Sequence, residues 1–260
     1  MSVRWNDVQL YASGAHWRGK ILAGVSGIPE LCMSLDSSGV ALCKDRPKIK
    51  AGCINGYFIK RYNLPGFITQ LRRRFKTPRP LKVLAGAEQL GKLGIYTPEV
   101  IAALVENRKL LRREFLVTAE LPETTVTLHQ KFRAAREPRE IWELLMLRFV
   151  PDLCRLHDSG WVHGDLNLRN ITFDSASGKC GLIDLDGMEK FSAPLSIRKR
   201  SREIARLVSG YSFMTRDTAP RDELISCAID TYRKSCGVEL DRNVIKTVTE
   251  QMIVRGGKYR

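Results

Sequence analysis

The stretch from 160 to 190 holds carboxylate and carboxamide side chains at spacings that suit phosphoryl transfer. Asp165 and Asn170 stand five residues apart in the pattern H-x-D-x-x-x-x-N, and Asp184 follows in the apolar run GLIDLDG. Phosphoryl transfer from a nucleotide needs a carboxylate beside the attacking hydroxyl and oxygen ligands for the Mg²⁺ that bridges the phosphates. Asp165 suits the first role. Asn170 and Asp184 suit the second, because Mg²⁺ prefers oxygen ligands. Asp186 either assists the metal or caps the following turn.

Short apolar runs flank these side chains and must position them. Ile171 and Phe173 alternate after the loop, Gly178 marks a turn, and Leu182 and Ile183 form a second strand. The sequence therefore predicts a loop, a small hairpin and a strand end around one pocket. Taken alone, the tripeptide HGD could equally be part of an ordinary polar loop.

This segment resembles the catalytic loop and metal-binding motif of the protein-kinase-like fold, with HGDLNLRN in place of HRDLKxxN and IDLD in place of DFG. Upstream, the runs YFIKRYN (57–63), LGIYTPEV (93–100) and REFLVTAELP (113–122) resemble the bacterial lipopolysaccharide kinases, which phosphorylate heptose or Kdo sugars of the inner core. The resemblance implies an α+β, protein-kinase-like two-lobe fold. Its N-lobe would be an antiparallel β-sheet with one helix, and its C-lobe mainly helical.

The resemblance also divides the chain into an N-terminal extension without assignment (1–29), an N-lobe (30–121) and a C-lobe (122–260). Residues 31–44, LCMSLDSSGVALCK, favour two strands around a turn that ends at Gly39. In the resembled fold such a hairpin covers the nucleotide phosphates, and Gly39 would let the backbone approach them. An ordinary hairpin with a glycine turn is the alternative.

Lys60 lies in an alternating apolar and aromatic run, where a lysine is costly to bury unless it is paired with anions. The resemblance implies that Lys60 binds the α- and β-phosphates of ATP, while Arg61 points to the opposite face. An exposed lysine on an edge strand is the alternative. Helical spacing from 80 to 93, with Gly94 as its C-cap, offers Glu88 as the carboxylate that pairs with Lys60. A surface glutamate is the competing interpretation.

Two further strands are expected between Thr97 and Pro122, with a turn at Glu106–Asn107. In the resembled fold the chain that follows the second strand binds the adenine base. The resemblance therefore implies that backbone groups of Glu120 and Leu121 contact ATP.

The run 141–157 is amphipathic and helical on both sides of Pro151, which should kink it or start a second helix. Its predicted buried stripe consists of Leu144, Leu147, Val150, Cys154 and His157. We expect His157 to pack rather than to catalyse, and His163 to support the catalytic loop by packing and hydrogen bonding. Helical patterns recur at about 196–209, 221–236 and 242–254.

The composition points to an anionic partner. Lys and Arg number 43 against 28 Asp and Glu, a net charge of +15. Basic side chains concentrate in two runs, 71–82 and 196–209, whose members are Arg72, Arg73, Arg74, Lys76, Arg79 and Lys82, then Arg198, Lys199, Arg200 and Arg202. An anionic glycolipid or an acidic membrane surface fits these patches, and a merely solvated basic surface is the alternative. Nucleic acid is not expected, because the first run lacks interleaved aromatic residues.

The seven cysteines include no C-x-x-C pair, which favours reduced thiols in a cytosolic protein. No signal peptide and no apolar run of about 18 residues is evident, so membrane contact should be peripheral, on the cytoplasmic face of the inner membrane. The sequence thus predicts an ATP- and Mg²⁺-dependent kinase of a lipopolysaccharide inner-core sugar. A kinase of a soluble small molecule and a non-catalytic kinase-like binding protein are the alternatives.

Overall fold

A computed structural model describes residues 4–64, 66, 76–108, 111–216 and 220–254. The chain forms two compact units, Met1–Glu88 with Pro98–Pro122, and Gln89–Thr97 with Glu123–Arg260. The described strands are β1 (Trp5–Ala12), β2 (Ala15–Leu22), β3 (Leu42–Arg46), β4 (Ile49–Ile54), β5 (Tyr57–Asn63), β6 (Val100–Arg108), β7 (Leu111–Ala119), β8 (Thr125–Thr127), β9 (Trp161–Val162), β10 (Ile171–Asp174), β11 (Lys179–Leu182) and β12 (Glu189–Lys190). The described α-helices are α1 (Ile28–Ser34), α2 (Arg79–Lys92), α3 (Leu128–Ala134), α4 (Pro138–Leu144), α5 (Val150–Asp158), α6 (Ile197–Met214), α7 (Arg221–Cys236) and α8 (Arg242–Val254).

The first unit is built on an antiparallel sheet with the strand order β1-β2-β6-β7-β5-β4-β3. Strands β1 and β2, from the stretch that the sequence left without assignment, form a hairpin that joins the sheet through β6. Trp17 of β2 is buried and packs against Phe115 of β7, with ring centroids 5.3 Å apart. The N-terminal stretch is therefore part of this sheet and its core.

The hairpin predicted for residues 31–44 is wrong, because its first half is the helix α1. Ile28, Cys32 and Leu35 recur at helical spacing and are buried in the core of this unit, and Pro29 lies at the start of the helix. Gly39, with φ +94°, lies between α1 and β3 and not at the tip of a hairpin. Its predicted role at the nucleotide phosphates therefore has no hairpin to support it.

The turn predicted at Glu106–Asn107 is also wrong. Strand β6 continues to Arg108, and Glu106 lies opposite Arg113 of β7. The Glu106 carboxylate is buried and accepts a hydrogen bond from Nη2 of Arg113 at 2.7 Å. Two polar residues that resemble a turn in sequence are thus held inside the sheet, the glutamate by a cross-strand ion pair.

The helix predicted from 80 to 93 is confirmed as α2. Gly94 adopts a left-handed φ of +67°, and the Ile95 N–H donates to the Leu90 carbonyl at 2.9 Å. A second bond, from Gly94 N to Gly91 O, completes a Schellman C-cap. At the other end, the Arg79 N–H donates to the buried Glu114 carboxylate of β7 at 2.9 Å.

In the second unit, α4 and α5 are joined by a π-helical turn, Leu145–Phe149, which ends two residues before Pro151. This turn changes the phase of the helix, so that Leu145 and Phe149 are buried while Leu147 is 73% exposed. The predicted stripe is therefore wrong at Leu147. It is right at its later members, since Val150, Cys154 and His157 are buried.

The three helical patterns predicted after residue 190 are confirmed as α6, α7 and α8, and α6 extends further, to Met214. Ile204, Leu207 and Val208 of α6 are buried, as are Tyr232 of α7 and Ile245 of α8. Within the described ranges, none of the helices combines the length and the apolar composition that a membrane span requires.

Candidate active site

The predicted small hairpin is present as β10 and β11, which pair Ile171 with Leu182 in antiparallel register. Asp184 follows the end of β11 in a left-handed conformation, with φ 55° and ψ 58°. The backbone N–H of Ile183 donates to the Asn170 carbonyl at 3.0 Å. This bond places the residue before Asp184 beside the end of the catalytic loop.

Two carboxamides hold the backbone of Asp165. Nδ2 of Asn170 and Nδ2 of Asn167 each donate to the Asp165 carbonyl oxygen at 2.8 Å. Nδ2 of Asn170 also lies 3.4 Å from Oδ2 of Asp165. With its nitrogen directed at Asp165, Asn170 can offer Oδ1 to a ligand. The Asp165 side chain itself is 44% exposed and accessible to a substrate.

Gly164 lets the catalytic loop approach the 3₁₀ turn that follows Asp184, Leu185–Gly187. It adopts φ +80°, and a Cβ added there would lie 2.1 Å from the Gly187 carbonyl oxygen. A side chain at this position is excluded by backbone atoms. The glycine of HGD thus keeps the segment that carries Asp165 close to the one that carries Asp184.

The His163 ring joins the same two segments. It is buried, and its Nε2 donates to the Ile183 carbonyl oxygen at 3.0 Å. This bond requires the proton on Nε2, since a carbonyl oxygen can only accept. His163 therefore supports the loop by hydrogen bonding, as expected from the sequence.

Glu203 of α6 is a structural partner of the loop that the sequence reasoning missed. Its carboxylate is buried and accepts hydrogen bonds from the backbone N–H groups of His163 (2.8 Å) and Gly164 (3.0 Å). Burial raises the pKa of this carboxyl. The hydrogen bonds that it accepts outweigh burial, so its pKa lies below the ordinary value. An ionised Glu203 thus anchors the loop one residue before Asp165.

A buried polar chain leads away from Glu203. The Tyr232 hydroxyl accepts a hydrogen bond from Nη1 of Arg200 (3.1 Å) and is hydrogen-bonded to Nδ1 of His157 (2.8 Å). Nε2 of His157 lies 3.8 Å from Glu203. Burial lowers the pKa of His157, which keeps the ring neutral. Arg200 also pairs with Asp158 at 2.7 Å.

Arg200 therefore does not contribute to the basic surface expected on α6, since it is 2% exposed and bound within the unit. The sequence contained one signal of this. Arg200, Glu203 and Leu207 recur at helical spacing, on the face that also carries apolar residues. A charged residue on an apolar helix face is buried only with a partner, but the sequence does not name that partner.

In the first unit, Lys60 occupies a central strand. It is 7% exposed on β5, between Ala51 of β4 and Leu116 of β7, and its Nζ lies 5.4 Å from the centroid of the Tyr62 ring. The alternative of an exposed edge-strand lysine is therefore excluded. Arg61 instead pairs with Asp36.

The predicted nucleotide contacts at Glu88, Glu120 and Leu121 differ in outcome. Glu88 is exposed on α2 and forms no ion pair within the described part of the chain, so the structure shows a surface glutamate. The backbone N–H of Glu120 donates to the Gly56 carbonyl at 3.0 Å. Because this N–H already donates within the sheet, it is not available to the adenine base. The predicted adenine contacts are therefore limited to the Glu120 carbonyl and the backbone of Leu121.

The predicted Mg²⁺ site would have only two protein ligands, both of them side-chain oxygens. Among the described residues, no group of three or more His, Cys, Asp and Glu side chains is arranged to hold a metal ion. One aspartate and one asparagine are nevertheless enough for Mg²⁺, which completes its octahedron with water and phosphate oxygens. The donor types of Asn170 and Asp184 fit this ion, and the Ile183–Asn170 bond places the backbone next to Asp184 beside Asn170.

The antiparallel sheet with a buried lysine and the helical unit with an HGD loop and a hairpin define a protein-kinase-like protein. This class agrees with a solved structure of WaaP in complex with acyl carrier protein, which matches with a TM-score of 0.60 and 17% identity over 88% of this chain and 96% of that chain. The predicted kinase-like fold is thereby confirmed.

The family is given by sequence. A profile of the lipopolysaccharide kinase (Kdo/WaaP) family matches residues 57–225, well over half of the chain. The chain belongs to this family and is a kinase, as the sequence motifs predicted.

Two other solved structures are similar at a lower level. WbdD with a kinase inhibitor matches with a TM-score of 0.49 and 15% identity, over 81% of this chain and 44% of that chain. A glucosamine kinase with glucosamine, ADP and inorganic phosphate matches with a TM-score of 0.49 and 11% identity, over 98% and 88%. A search of curated proteins finds no match.

Proposed function

We propose that this kinase transfers the γ-phosphoryl group of ATP to a sugar hydroxyl of the lipopolysaccharide inner core, on heptose or Kdo. The observation that carries the proposal is the Asp165–Asn170 pair, joined by a 2.8 Å hydrogen bond in a chain of the lipopolysaccharide kinase family. Fold alone does not choose an acceptor, whereas the family and the basic net charge both favour an anionic glycolipid.

In the proposed reaction, the hydroxyl oxygen of the sugar attacks the γ-phosphorus as the bond to the β-phosphate oxygen breaks, which releases ADP. Asp165 accepts the hydroxyl proton, or orients the hydroxyl so that its proton leaves after attack. The fixed backbone of Asp165 makes its carboxylate a preorganised partner for this hydroxyl.

The phosphates would be held by Lys60 on the α- and β-oxygens, while Asn170 and Asp184 hold Mg²⁺. When bound, the ion offsets the charge of the β- and γ-phosphates. A lysine buried on a central strand and oxygen ligands that suit magnesium support these assignments.

We further propose that the protein works at the cytoplasmic face of the inner membrane as a peripheral protein. Exposed Lys82, Arg198 and Arg202 and the net charge of +15 support contact with anionic headgroups. Of the first basic run, Arg72, Arg73 and Arg74 lie outside the described residues.

The test is transfer of ³²P from labelled ATP with Mg²⁺ to phosphatase-treated lipopolysaccharide core. We expect wild type to label the glycolipid and Asp165→Asn to lose roughly 10²–10⁴-fold in rate. Asp230→Asn removes an exposed carboxylate on α7 and serves as the matched control, with an unchanged rate. Label in a soluble sugar alone would move the acceptor to that class, and failure to bind ATP would contradict the kinase mechanism.

A further inference from the structure

An arginine with no role in the mechanism above stands beside Asp165. Arg206 lies on α6, one turn after Glu203, and its Nη1 is 3.9 Å from Oδ1 of Asp165. Among the described residues, Asp165 is the one ion-pair partner of Arg206. The Arg206 side chain is 33% exposed, so part of the guanidinium is open to solvent beside the carboxylate.

The pair is too loose for Arg206 to hold Asp165. A distance of 3.9 Å is beyond a hydrogen bond, and ion pairs between partly exposed groups contribute little. Asp165 is already fixed through its backbone by Asn167 and Asn170. Arg206 therefore retains most of its five N–H donors for a ligand.

The ligand is indicated by the position and chemistry of the guanidinium. A hydroxyl within hydrogen-bond reach of Asp165 would lie at most about 7 Å from Nη1 of Arg206, which is within reach of a neighbouring substituent on the same glycan. The planar fork of an arginine matches carboxylate and phosphate oxygens in a bidentate manner. Inner-core sugars offer both groups, as the acid of Kdo and as phosphate substituents.

We propose that Arg206 binds an anionic substituent of the acceptor, a carboxylate or a phosphate, next to the hydroxyl whose proton Asp165 accepts. The inference deepens the proposed function and rests on it. Arg206 would act as a specificity residue that selects acidic acceptors and sets which hydroxyl faces Asp165.

The kinetic test compares wild type, Arg206→Gln, Arg206→Lys and Arg139→Gln on three forms of one core glycolipid, taken from cells that lack this kinase so that its acceptor hydroxyl is free: untreated, dephosphorylated and carboxyl-reduced. Arg139 is the control, since it is an 83% exposed arginine on α4. We expect Arg206→Gln to lower kcat/KM for the untreated acceptor roughly tenfold to a hundredfold, with the KM for ATP and the thermal midpoint unchanged. Arg206→Lys should recover part of the loss.

The treated acceptors identify the recognised group. If the carboxylate is bound, wild type and Arg206→Gln should perform equally on the carboxyl-reduced acceptor, and if a phosphate is bound, on the dephosphorylated one. An equal loss on all three acceptors, a change in the KM for ATP, or a loss no greater than that of Arg139→Gln would overturn the proposal.

A binding experiment separates this inference from the proposed function. Free Kdo and inorganic phosphate are titrated calorimetrically into wild type and Arg206→Gln, with a non-hydrolysable ATP analogue and Mg²⁺ at saturation to fill the nucleotide site. Binding that is lost in Arg206→Gln supports the anion site even where no core sugar is labelled. The absence of binding to wild type, or equal binding to both proteins, refutes it.

Discussion

Glu203, Asn167 and Asn170 all bind the backbone around Asp165 rather than act as reactive groups themselves. Each satisfies an N–H or C=O of a loop that would otherwise need water or a regular ladder. These bonds fix the backbone from which the Asp165 carboxylate projects, which reduces the reorganisation needed when the substrate binds.

The first prediction concerns Gly164, which has φ +80° and a backbone oxygen 2.1 Å from the position of an added Cβ. Gly164→Ala should lower phosphoryl transfer at least roughly tenfold, because even a displacement of about 1 Å in catalytic geometry is costly. Gly178→Ala is the matched control: its φ is +67°, with no atom within 4 Å of the added Cβ. It should cost about 1 kcal/mol of left-handed strain and leave activity intact. Rates and urea unfolding of both variants test this, and equal losses of activity would contradict it.

A second prediction concerns pH and His157, whose pKa is lowered by burial. Below pH 6.5, the ordinary pKa of histidine, His157 is protonated in the unfolded chain but stays neutral in the folded protein. The free energy of unfolding therefore decreases as the pH falls through this range. Above it, the free energy of unfolding does not depend on the titration of His157. The thermal midpoint of wild type should therefore drop more between pH 7.5 and 5.5 than that of His157→Asn. The Glu203 carboxyl has a lowered pKa, so its protonation reduces stability only at a pH below the ordinary pKa of a glutamate, which lies outside the range from pH 7.5 to 5.5. Parallel drops in the two proteins would show that His157 is not the titrating group.

At the scale of elements, the π-helical turn Leu145–Phe149 decides which side of the α4–α5 rod faces the core. It ends two residues before Pro151, whose ring and missing N–H are incompatible with an unbroken α-helical ladder at that point. The wider π-helical turn accommodates Pro151 while α4 and α5 continue as one rod. It also rotates the buried face of the rod relative to the face that an unbroken 3.6-residue period predicts.

The third prediction follows from that change of phase. Leu145→Ala should destabilise the protein by about 2–5 kcal/mol, because it opens a cavity at a fully buried side chain. Leu147→Ala should change stability by less than about 0.5 kcal/mol, since this leucine is 73% exposed. Urea midpoints of the two variants are compared under one set of conditions. A large loss at Leu147 would mean that the turn is α-helical and that Leu147 faces the core.

The elements also show what a sequence can and cannot predict. The β10–β11 hairpin and the helix α2 with its Gly94 cap were predictable, because all their signals are local. The helix α1 was missed because it is only about two turns long, and over so short a stretch the order of apolar and polar residues also fits the alternation of a strand. Glu203 was missed for a different reason: its partners, His163 and Gly164, lie about forty residues earlier, and only the packing of α6 brings them together. Asp165, Asn170, Asp184 and Lys60 were identified by motif, and their roles remain proposals.

At the scale of the whole molecule, the net charge of +15 is the dominant long-range property. Exposed Arg198 and Arg202 place part of that charge at the start of α6, while Arg200 between them is buried and paired. Surface basic groups attract anionic headgroups over about one Debye length, so this attraction weakens with salt.

The fourth prediction is therefore that the protein binds phosphatidylglycerol vesicles at 50 mM NaCl and dissociates at 500 mM. At about 1 kcal/mol for each basic residue, the double variant Arg198→Gln/Arg202→Gln should bind roughly thirtyfold more weakly at low salt. Phosphatidylcholine vesicles and the single variant Lys234→Gln, on α7, serve as controls. Binding that ignores both salt and headgroup charge would contradict an electrostatic contact, and sedimentation with vesicles provides the measurement.

The sheet order has a consequence for synthesis on the ribosome. Strand β2 hydrogen-bonds on one side to β1, its neighbour in sequence, and on the other to Ala102–Asn107 of β6, which is made some eighty residues later. Translation proceeds at about 5–20 residues per second, so roughly 4–16 s pass before β6 is made. During this time one edge of β2 has no strand to pair with, and Trp17 is unburied. Exposed Arg18 and half-buried Lys20 lie on that strand, where their charge would discourage pairing with another nascent chain.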